Sequence, residues 1–313
     1  MTDSIRVSTP AKINLLFGVG ALQPDGYHEV ASLYHAVDLL DELKIKSSSS
    51  WSIELSGNIS QAQKDAVPSG EDNLVVRAAK QVAKMSGIES PHPVSFEITK
   101  NIPVAGGLAG GSADAAAALI AVNELWCTGL SGEQLHTAAV ALGSDVPFSL
   151  IGGTAIGKGR GENLEPIEGV KKFNWVLAFS EIGLSTPLVY RRLDEIRTSR
   201  GEDITAARNL DVPQKLIDAL RSGDARALAA ELRNDLQEAA IDLRNELSEV
   251  IQTGKSAGAL VGFISGSGPT VAFLTDSAES SQGVCEALKA VGIEAVAVSG
   301  PVVGPAGIQA LGN

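Results

Sequence analysis

Four glycines and a serine lie close together in residues 103–114, which read PVAGGLAGGSAD. The alternating pattern of residues 94–99 predicts a strand before them, and an alanine-rich stretch predicts a helix over about residues 113–126. Glycine lets a backbone approach a ligand closely, and the unpaired N–H groups of a helix N-terminus attract anions. The segment therefore predicts a loop that holds the phosphates of a nucleotide. A tight turn packed beneath the helix by small residues is the structural alternative.

Two polar side chains of this segment are open to more than one role. Ser112 is predicted as the N-cap of the helix, and its hydroxyl is also a candidate ligand for phosphate or Mg²⁺. Asp114 would repel a triphosphate, so we expect a first-turn carboxylate that complements the helix dipole. Residues 152–159 (GGTAIGKG) come close to another phosphate-binding motif, the P-loop, but do not match it. The P-loop requires Ser or Thr at the position of Gly159.

Four further clusters contain residues that could do chemistry. In residues 10–14 (PAKIN), Lys12 and Asn14 are two apart in a predicted strand, so both point to one face, as a site or as a solvated surface. Residues 25–29 (DGYHE) predict a turn that carries an aromatic ring and an imidazole. Asp145 lies between small residues in GSDVP, where a helix cap is the alternative role. Residues 265–270 (SGSGPT) predict a second glycine turn.

Composition narrows the classes of protein. The 313-residue chain is 44% hydrophobic and 20% charged, which suffices for a buried core and excludes a disordered protein. Its net charge of −12 disfavours nucleic acid and anionic membranes as partners, and no obligate protein partner is evident. Cys127 and Cys285 are far apart and predict buried thiols of a reducing compartment. Because the longest apolar run, residues 115–122, is too short to span a bilayer, we expect a soluble, cytoplasmic protein.

The order of the predicted strands and helices indicates an α+β fold in two halves, because long strand-like segments, typical of an antiparallel sheet, precede the first helix. A shift in composition predicts a division into residues 1–160 and 161–313. The first strand is expected to break at Pro10, and Asp72 is expected to cap the first long helix. The tail from about residue 299 is rich in glycine and proline, which predicts poor order.

The five clusters occur in one order and together resemble the GHMP kinase superfamily over residues 8–275. The resemblance implies a two-domain GHMP kinase-like fold, with an ATP-binding N-terminal domain, a C-terminal domain and the active site in the cleft between them. It implies an ATP-dependent phosphotransferase that uses Mg²⁺. Lys12 and Asp145 match the catalytic pair of the family. Asp145 would accept or orient a hydroxyl proton, and Lys12 would stabilise the developing charge.

The resemblance also implies nucleotide-binding residues. Many relatives have glycine where Ala105 and Ala109 stand, and we expect this departure to change little. The residues implied to bind ATP are Pro103, Val104, Ala105, Gly106, Gly107, Leu108, Ala109, Gly110, Gly111, Ser112, Ala113, Asn73 and Lys100.

PAKIN and DGYHE make the resemblance closer to members that act on a small molecule, methylerythritol linked to cytidine diphosphate. The implied reaction phosphorylates its 2-hydroxyl group, in the non-mevalonate route to isoprenoid precursors. Tyr27 and Tyr190 would stack on the cytosine, His28 would hydrogen-bond its edge, and Asn14 would line the substrate pocket. The alternatives are a sister kinase for a mevalonate- or homoserine-like acceptor and a nucleotide-binding relative without catalysis.

Overall fold

The computed structural model describes the backbone of residues 4–311 and the side chains through residue 305. The described strands are β1 (Ser4–Leu22), β2 (His28–Ser47), β3 (Ser52–Gly57), β4 (Val94–Lys100), β5 (Thr154–Lys158), β6 (Asn163–Pro166), β7 (Phe173–Ala178), β8 (Arg233–Asn234), β9 (Val261–Ile264), β10 (Val271–Thr275), β11 (Ala295–Gly300) and β12 (Ala306–Leu311). The described helices are α1 (Gln61–Asp65), α2 (Leu74–Met85), α3 (Gly110–Leu125), α4 (Gly132–Val140), α5 (Val146–Ile151), α6 (Thr186–Ser199), α7 (Gln214–Ser222), α8 (Ala225–Glu231), α9 (Gln237–Leu243), α10 (Glu246–Ser256) and α11 (Ala278–Ala290).

A sheet with strand order β12-β1-β2-β4-β3 forms the first half, and β5, β6 and β8 join it off that path. Its centre is the long antiparallel pair β1–β2. The predicted break at Pro10 is wrong, because β1 runs on through the proline. The ladder shifts register between Pro10 and Ala11, and β12 pairs with β1 only as far as Ser8. Such a bulge accommodates a residue that has no N–H to donate.

Helix α3 lies in the middle of the first half, against α2, β1 and β2. Six of its 16 residues are alanine, and ten of its residues are buried. A helix that is apolar all round is expected inside a core, and the small alanine side chains let its neighbours approach closely. Within residues 4–311, no helix has both the length and the apolar character that crossing a bilayer requires.

A four-stranded antiparallel sheet of order β11-β7-β10-β9 forms the second half. Helices α10 and α11 pack on it. The buried Trp175 of β7 meets His35 of β2 edge-on, with ring centroids 5.6 Å apart, so the cores of the two halves touch. Burial lowers the pKa of His35 to about 3.

The chain crosses back to the first sheet near its end. Strand β12 of the glycine- and proline-rich tail pairs antiparallel with β1. The expectation that this tail is poorly ordered stays a prediction. Strand β6 also joins the first sheet, through β5. A single division at residue 160, which stays a prediction, therefore separates β6 and β12 from the sheet to which they belong.

Candidate active site

Lys12 is the buried cation at the centre of the candidate site. Its Nζ donates to Asn14 Oδ1 at 2.7 Å and to the carbonyl oxygen of Gly107 at 2.9 Å, and it lies 3.7 Å from Asp145 Oδ2. Strand β1 carries Lys12 and Asn14 on one face, as predicted. Burial lowers the pKa of Lys12, and the Asp145 carboxylate partly opposes this shift. The geometry pairs one ammonium with one carboxylate, next to a backbone carbonyl of the glycine loop.

Asp145 immediately precedes α5, and its carboxylate is 30% exposed. Tyr34, opposite Asn14 in the β1–β2 ladder, donates its hydroxyl to Asp145 Oδ1 at 3.1 Å. Burial, together with the Asp145 carboxylate, raises the pKa of Tyr34 well above its usual value. The sequence analysis missed Tyr34, although its strand register with Asn14 is a usable signal. Asp145 is therefore held by a hydroxyl on one oxygen and faces an ammonium with the other.

The glycine loop bends through left-handed backbone at three positions. Gly107 has φ +79°, but Ala105 and Ala109 also have positive φ, of 55° and 59°. Ala109 is the N-cap of α3, so the predicted cap Ser112 is wrong: its hydroxyl lies in the first turn of the helix. Alanine in this conformation costs about 1–2 kcal/mol. The two alanines therefore carry strain that glycine would relieve.

The SGSGPT turn of the second half packs directly on this loop. Ser265 Oγ lies between the two halves, accepting from the N–H of Asn14 at 3.3 Å and donating to the Gly107 carbonyl at 3.4 Å. The N–H of Thr270 donates to the carbonyl of Gly106 at 3.3 Å. A Cβ on Gly107 would lie 2.6 Å from the carbonyl oxygen of Ser265. Contact this close requires glycine, so both halves build the candidate site.

A cavity of about 380 Å³ opens along the glycine loop. Leu108 and Ala113 are buried beneath the loop. Asn73, not the predicted Asp72, caps α2, with its Oδ1 accepting from the N–H of Val75 at 3.0 Å. The predicted nucleotide residues that line the cavity are Asn73, Lys100, Pro103, Val104, Ala105, Gly106, Gly107, Ala109, Gly110, Gly111 and Ser112.

Lys100 is buried below this cavity between two carboxylates. Its Nζ donates to Asp114 Oδ2 at 2.7 Å and to Asp41 Oδ2, while Asp41 Oδ1 accepts from the N–H groups of Asn101 and Ile102. Burial opposes the charge on Lys100, but the two carboxylates outweigh it and raise its pKa. Burial raises the pKa of Asp114. The cluster ties β2, the end of β4 and α3 together, so Asp114 does more than complement a dipole.

A second cavity, of about 870 Å³, is lined by three of the four residues predicted to bind an acceptor. Tyr27, His28 and Tyr190 line it, as do Gly143 and Ser144 next to Asp145. His28 stacks on Tyr190, with ring centroids 5.4 Å apart. Its Nδ1 lies 3.0 Å from the carbonyl oxygen of Gly20, and its Nε2 lies 3.2 Å from Asp194 Oδ2. The sequence analysis did not single out Asp194.

The pair Lys12–Asp145 lines neither cavity but contacts the walls of both. Lys12 Nζ bonds to the carbonyl of Gly107, which lines the smaller cavity, and Asp145 follows Ser144, which lines the larger one. Asn14 is fully buried, donates to Ser32 Oγ at 2.7 Å and lines neither cavity, so its place in the lining of a substrate pocket stays a prediction. Tyr27, on the rim, is 58% exposed. Such a geometry can hold a phosphate donor on one side of an ammonium–carboxylate pair and a hydroxyl-bearing acceptor on the other.

Two family models match this chain. The GHMP kinases N terminal domain covers residues 73–153, which include the glycine loop and Asp145, and the GHMP kinases C terminal domain covers residues 216–294. The chain therefore belongs to the GHMP kinases, which are ATP-dependent kinases. The predicted α+β GHMP kinase-like fold is confirmed.

Curated relatives narrow the family further. The 4-diphosphocytidyl-2-C-methyl-D-erythritol kinase of Paenarthrobacter aurescens is 46% identical over 304 residues, covering 96% of this chain and 95% of the relative. The enzyme of the same name from Mycolicibacterium smegmatis is 46% identical over 307 residues, covering 97% and 92%. Within the GHMP kinases, the chain belongs to the 4-diphosphocytidyl-2-C-methyl-D-erythritol kinase family.

Solved structures agree with this assignment. A crystal structure of 4-(cytidine 5'-diphospho)-2C-methyl-D-erythritol kinase is 31% identical, with a TM-score of 0.76, and the match covers 96% of this chain and 99% of that one. A homoserine kinase from Cytophaga hutchinsonii has a TM-score of 0.71 at 22% identity, with 98% of each chain covered. At that identity the similarity shows the fold alone.

Proposed function

We propose that this chain transfers the γ-phosphoryl group of ATP to the 2-hydroxyl of 4-diphosphocytidyl-2-C-methyl-D-erythritol. The family assignment supports the reaction, and the acceptor comes from the names of the relatives. The observation that carries the proposal is the Lys12–Asp145 pair, 3.7 Å apart. Lys12 bonds to Gly107 of the glycine-lined cavity, and Asp145 follows Ser144 of the aromatic one. The product would enter the non-mevalonate route to isoprenoid precursors.

Asp145 and Lys12 have different roles in the proposed phosphoryl transfer. The Asp145 carboxylate accepts or orients the proton of the 2-hydroxyl, whose oxygen forms the new bond to phosphorus as the bond to the β-phosphate oxygen breaks. Lys12 neutralises charge that develops on the phosphoryl oxygens. Its hydrogen bonds to Asn14 and Gly107 fix where this ammonium lies, and phosphoryl transfer depends mostly on such positioning.

The glycine loop supplies backbone donors for the phosphates of ATP, at the N-terminal end of the 16-residue helix α3. Among the described residues, no group of three or more His, Cys, Asp or Glu side chains could hold a metal ion. Mg²⁺ in kinases is bound by substrate phosphates, water and one or two protein oxygens, and the Ser112 hydroxyl on the cavity wall suits this donor set. When bound, Mg²⁺ would neutralise phosphate charge.

Tyr27, His28 and Tyr190 are proposed to bind the cytosine. Stacking on an aromatic ring contributes about 1–3 kcal/mol per base, so these rings would supply much of the acceptor affinity. His28 Nε2 now faces Asp194, so a base edge that bonds to this nitrogen would compete with that carboxylate. A cytoplasmic location stays a prediction from the sequence.

The deciding experiment measures ADP release with Mg²⁺-ATP and 4-diphosphocytidyl-2-C-methyl-D-erythritol, with mevalonate and homoserine as parallel acceptors. Turnover with the cytidylated acceptor alone is the expected result. Turnover with mevalonate or homoserine instead would assign the chain to a sister kinase. ATP binding without any turnover would identify a non-catalytic relative.

A further inference from the structure

The side chain of Tyr27 is stacked on one face by a cation from another loop. The guanidinium carbon of Arg160 lies over its ring, 4.1 Å from the centroid. Arg160 belongs to the short connection between β5 and β6, more than a hundred residues along the chain. Both residues line the larger cavity, and Tyr27 keeps 58% of its surface exposed. A planar ring has a second face, which is available to another flat group.

The carboxylate of Asp25 forms hydrogen bonds with both Tyr27 and Arg160. Its Oδ1 accepts from the N–H of Tyr27 at 3.0 Å, and its Oδ2 accepts from Arg160 Nη2 at 2.6 Å. One carboxylate therefore holds the backbone of the tyrosine and the guanidinium that stacks on its ring. The Tyr27 hydrogen bond and Arg160 lower the pKa of Asp25, so the carboxylate stays charged at neutral pH.

The connection that carries Arg160 is shaped for this position. The carbonyl of Gly159 accepts from the N–H of Val30 at 2.8 Å, which joins the connection to β2 just after the turn. Gly159 and Gly161 have φ of +76° and +110°. A Cβ on Gly161 would clash with the hydroxyl of Tyr34. The glycine-rich stretch that failed as a P-loop therefore has a structural use beside the acceptor cavity.

We propose that Arg160 and Asp25 are positioning residues that hold Tyr27 as one wall of the site for the cytosine ring. The inference rests on the proposed function, since the acceptor must carry a cytosine. Arg160 fixes one face of the tyrosine, and the base stacks on the other. The cation adds to that stacking, because it draws electron density of the ring and limits its rotation.

The test compares steady-state kinetics of Arg160→Gln and Asp25→Asn with those of the wild type. An exposed cation–π contact contributes modestly, so we expect the KM for 4-diphosphocytidyl-2-C-methyl-D-erythritol to rise about two- to fivefold in each. The kcat and the KM for ATP should not change. Lys158→Gln is the matched control. Lys158 is an exposed cation two residues before Arg160, and its ammonium forms a long, 3.5 Å ion pair with Glu165. This variant should leave all constants unchanged.

A double-mutant cycle with Tyr27→Ala separates positioning from direct contact. If Arg160 acts through Tyr27, Arg160→Gln has no further effect on the acceptor KM in the Tyr27→Ala background. An equal effect in both backgrounds would mean that Arg160 contacts the acceptor itself, and would overturn the proposal, as would an unchanged KM in Arg160→Gln. A wild type without turnover of this acceptor would refute the proposed function and, with it, this inference.

Discussion

Replacing Gly107 with alanine should disrupt the packing of the glycine loop against the SGSGPT turn of the second half and lower the stability of the protein. The new Cβ would lie 2.6 Å from the carbonyl oxygen of Ser265 and 3.0 Å from that of Gly268, so backbone must move. Gly107 also has φ +79°, a conformation that costs alanine about 1–2 kcal/mol. Forcing the extra methyl group into packed backbone adds about 1–3 kcal/mol. We expect the free energy of unfolding to fall by about 2–5 kcal/mol.

Gly111→Ala is the matched control from the same loop. Its Cβ would meet only Leu74 Cδ1, at an ordinary 3.5 Å, and Gly111 lies in the first turn of α3. Since alanine favours a helix over glycine by about 1 kcal/mol, this variant should be as stable as the wild type or slightly more so. Both free energies come from urea unfolding monitored by circular dichroism.

The same variant should also lose function. The carbonyl of Gly107 accepts from Lys12 Nζ, so a displaced loop moves the ammonium and the proposed phosphate site together. Isothermal titration with ATP should show weaker binding by Gly107→Ala than by the wild type. A Gly107→Ala protein with wild-type unfolding energy and ATP affinity would refute the reasoning, because the loop would then tolerate the contact.

Three further changes test other parts of the structure. Asp145→Asn should lower kcat by about 10²–10⁴-fold with little change in the ATP dissociation constant, and an equal loss of ATP affinity would instead assign Asp145 to phosphate or metal binding. Tyr34→Phe removes the 3.1 Å hydrogen bond to Asp145 and should lower kcat about tenfold; an unchanged kcat would mean that Lys12 alone positions the carboxylate. Burial lowers the pKa of His35 to about 3. Between pH 6.5 and 3 the unfolded chain therefore binds a proton at this residue that the folded chain does not. As the pH is lowered through this range, the free energy of unfolding should decrease by up to ~1.4 kcal/mol per pH unit. Urea unfolding at pH 7, 6 and 5 should show a smaller pH dependence for His35→Asn, and the same slope in both proteins would place its origin elsewhere.

The sequence predicted those parts of the site that local pattern determines. The glycine loop is one continuous segment between a strand and a helix, so its composition alone indicates a phosphate site. Lys12 and Asn14 share a strand face because side chains alternate along a strand. The order of the five clusters then identified the fold, which the comparisons confirm.

Other parts depend on contacts between distant segments, which no local pattern reports. Tyr34 reaches Asp145 across 111 positions of the chain, and Ser265 meets Asn14 across 251. The same limit explains why the predicted N-cap Ser112 is wrong. Ser112 has a side chain suited to a cap, but the helix begins earlier, at Gly110, because Ala109 adopts the left-handed conformation just before it. Alanine at φ 59° contradicts its usual preference, and only the tertiary packing of the loop specifies it.

The burial of α3 on all sides has a consequence for the motion of the site. A helix with an exposed face can open one turn at a time, whereas α3 has ten buried residues and cannot separate from its neighbours without opening the core. The hydrogen-bonded backbone amides of its buried middle, residues 114–122, should therefore exchange with deuterium only when the whole first half unfolds. The N-terminal end of α3, the proposed phosphate site, would then stay fixed, and any closure around the substrates would come from the segments around it.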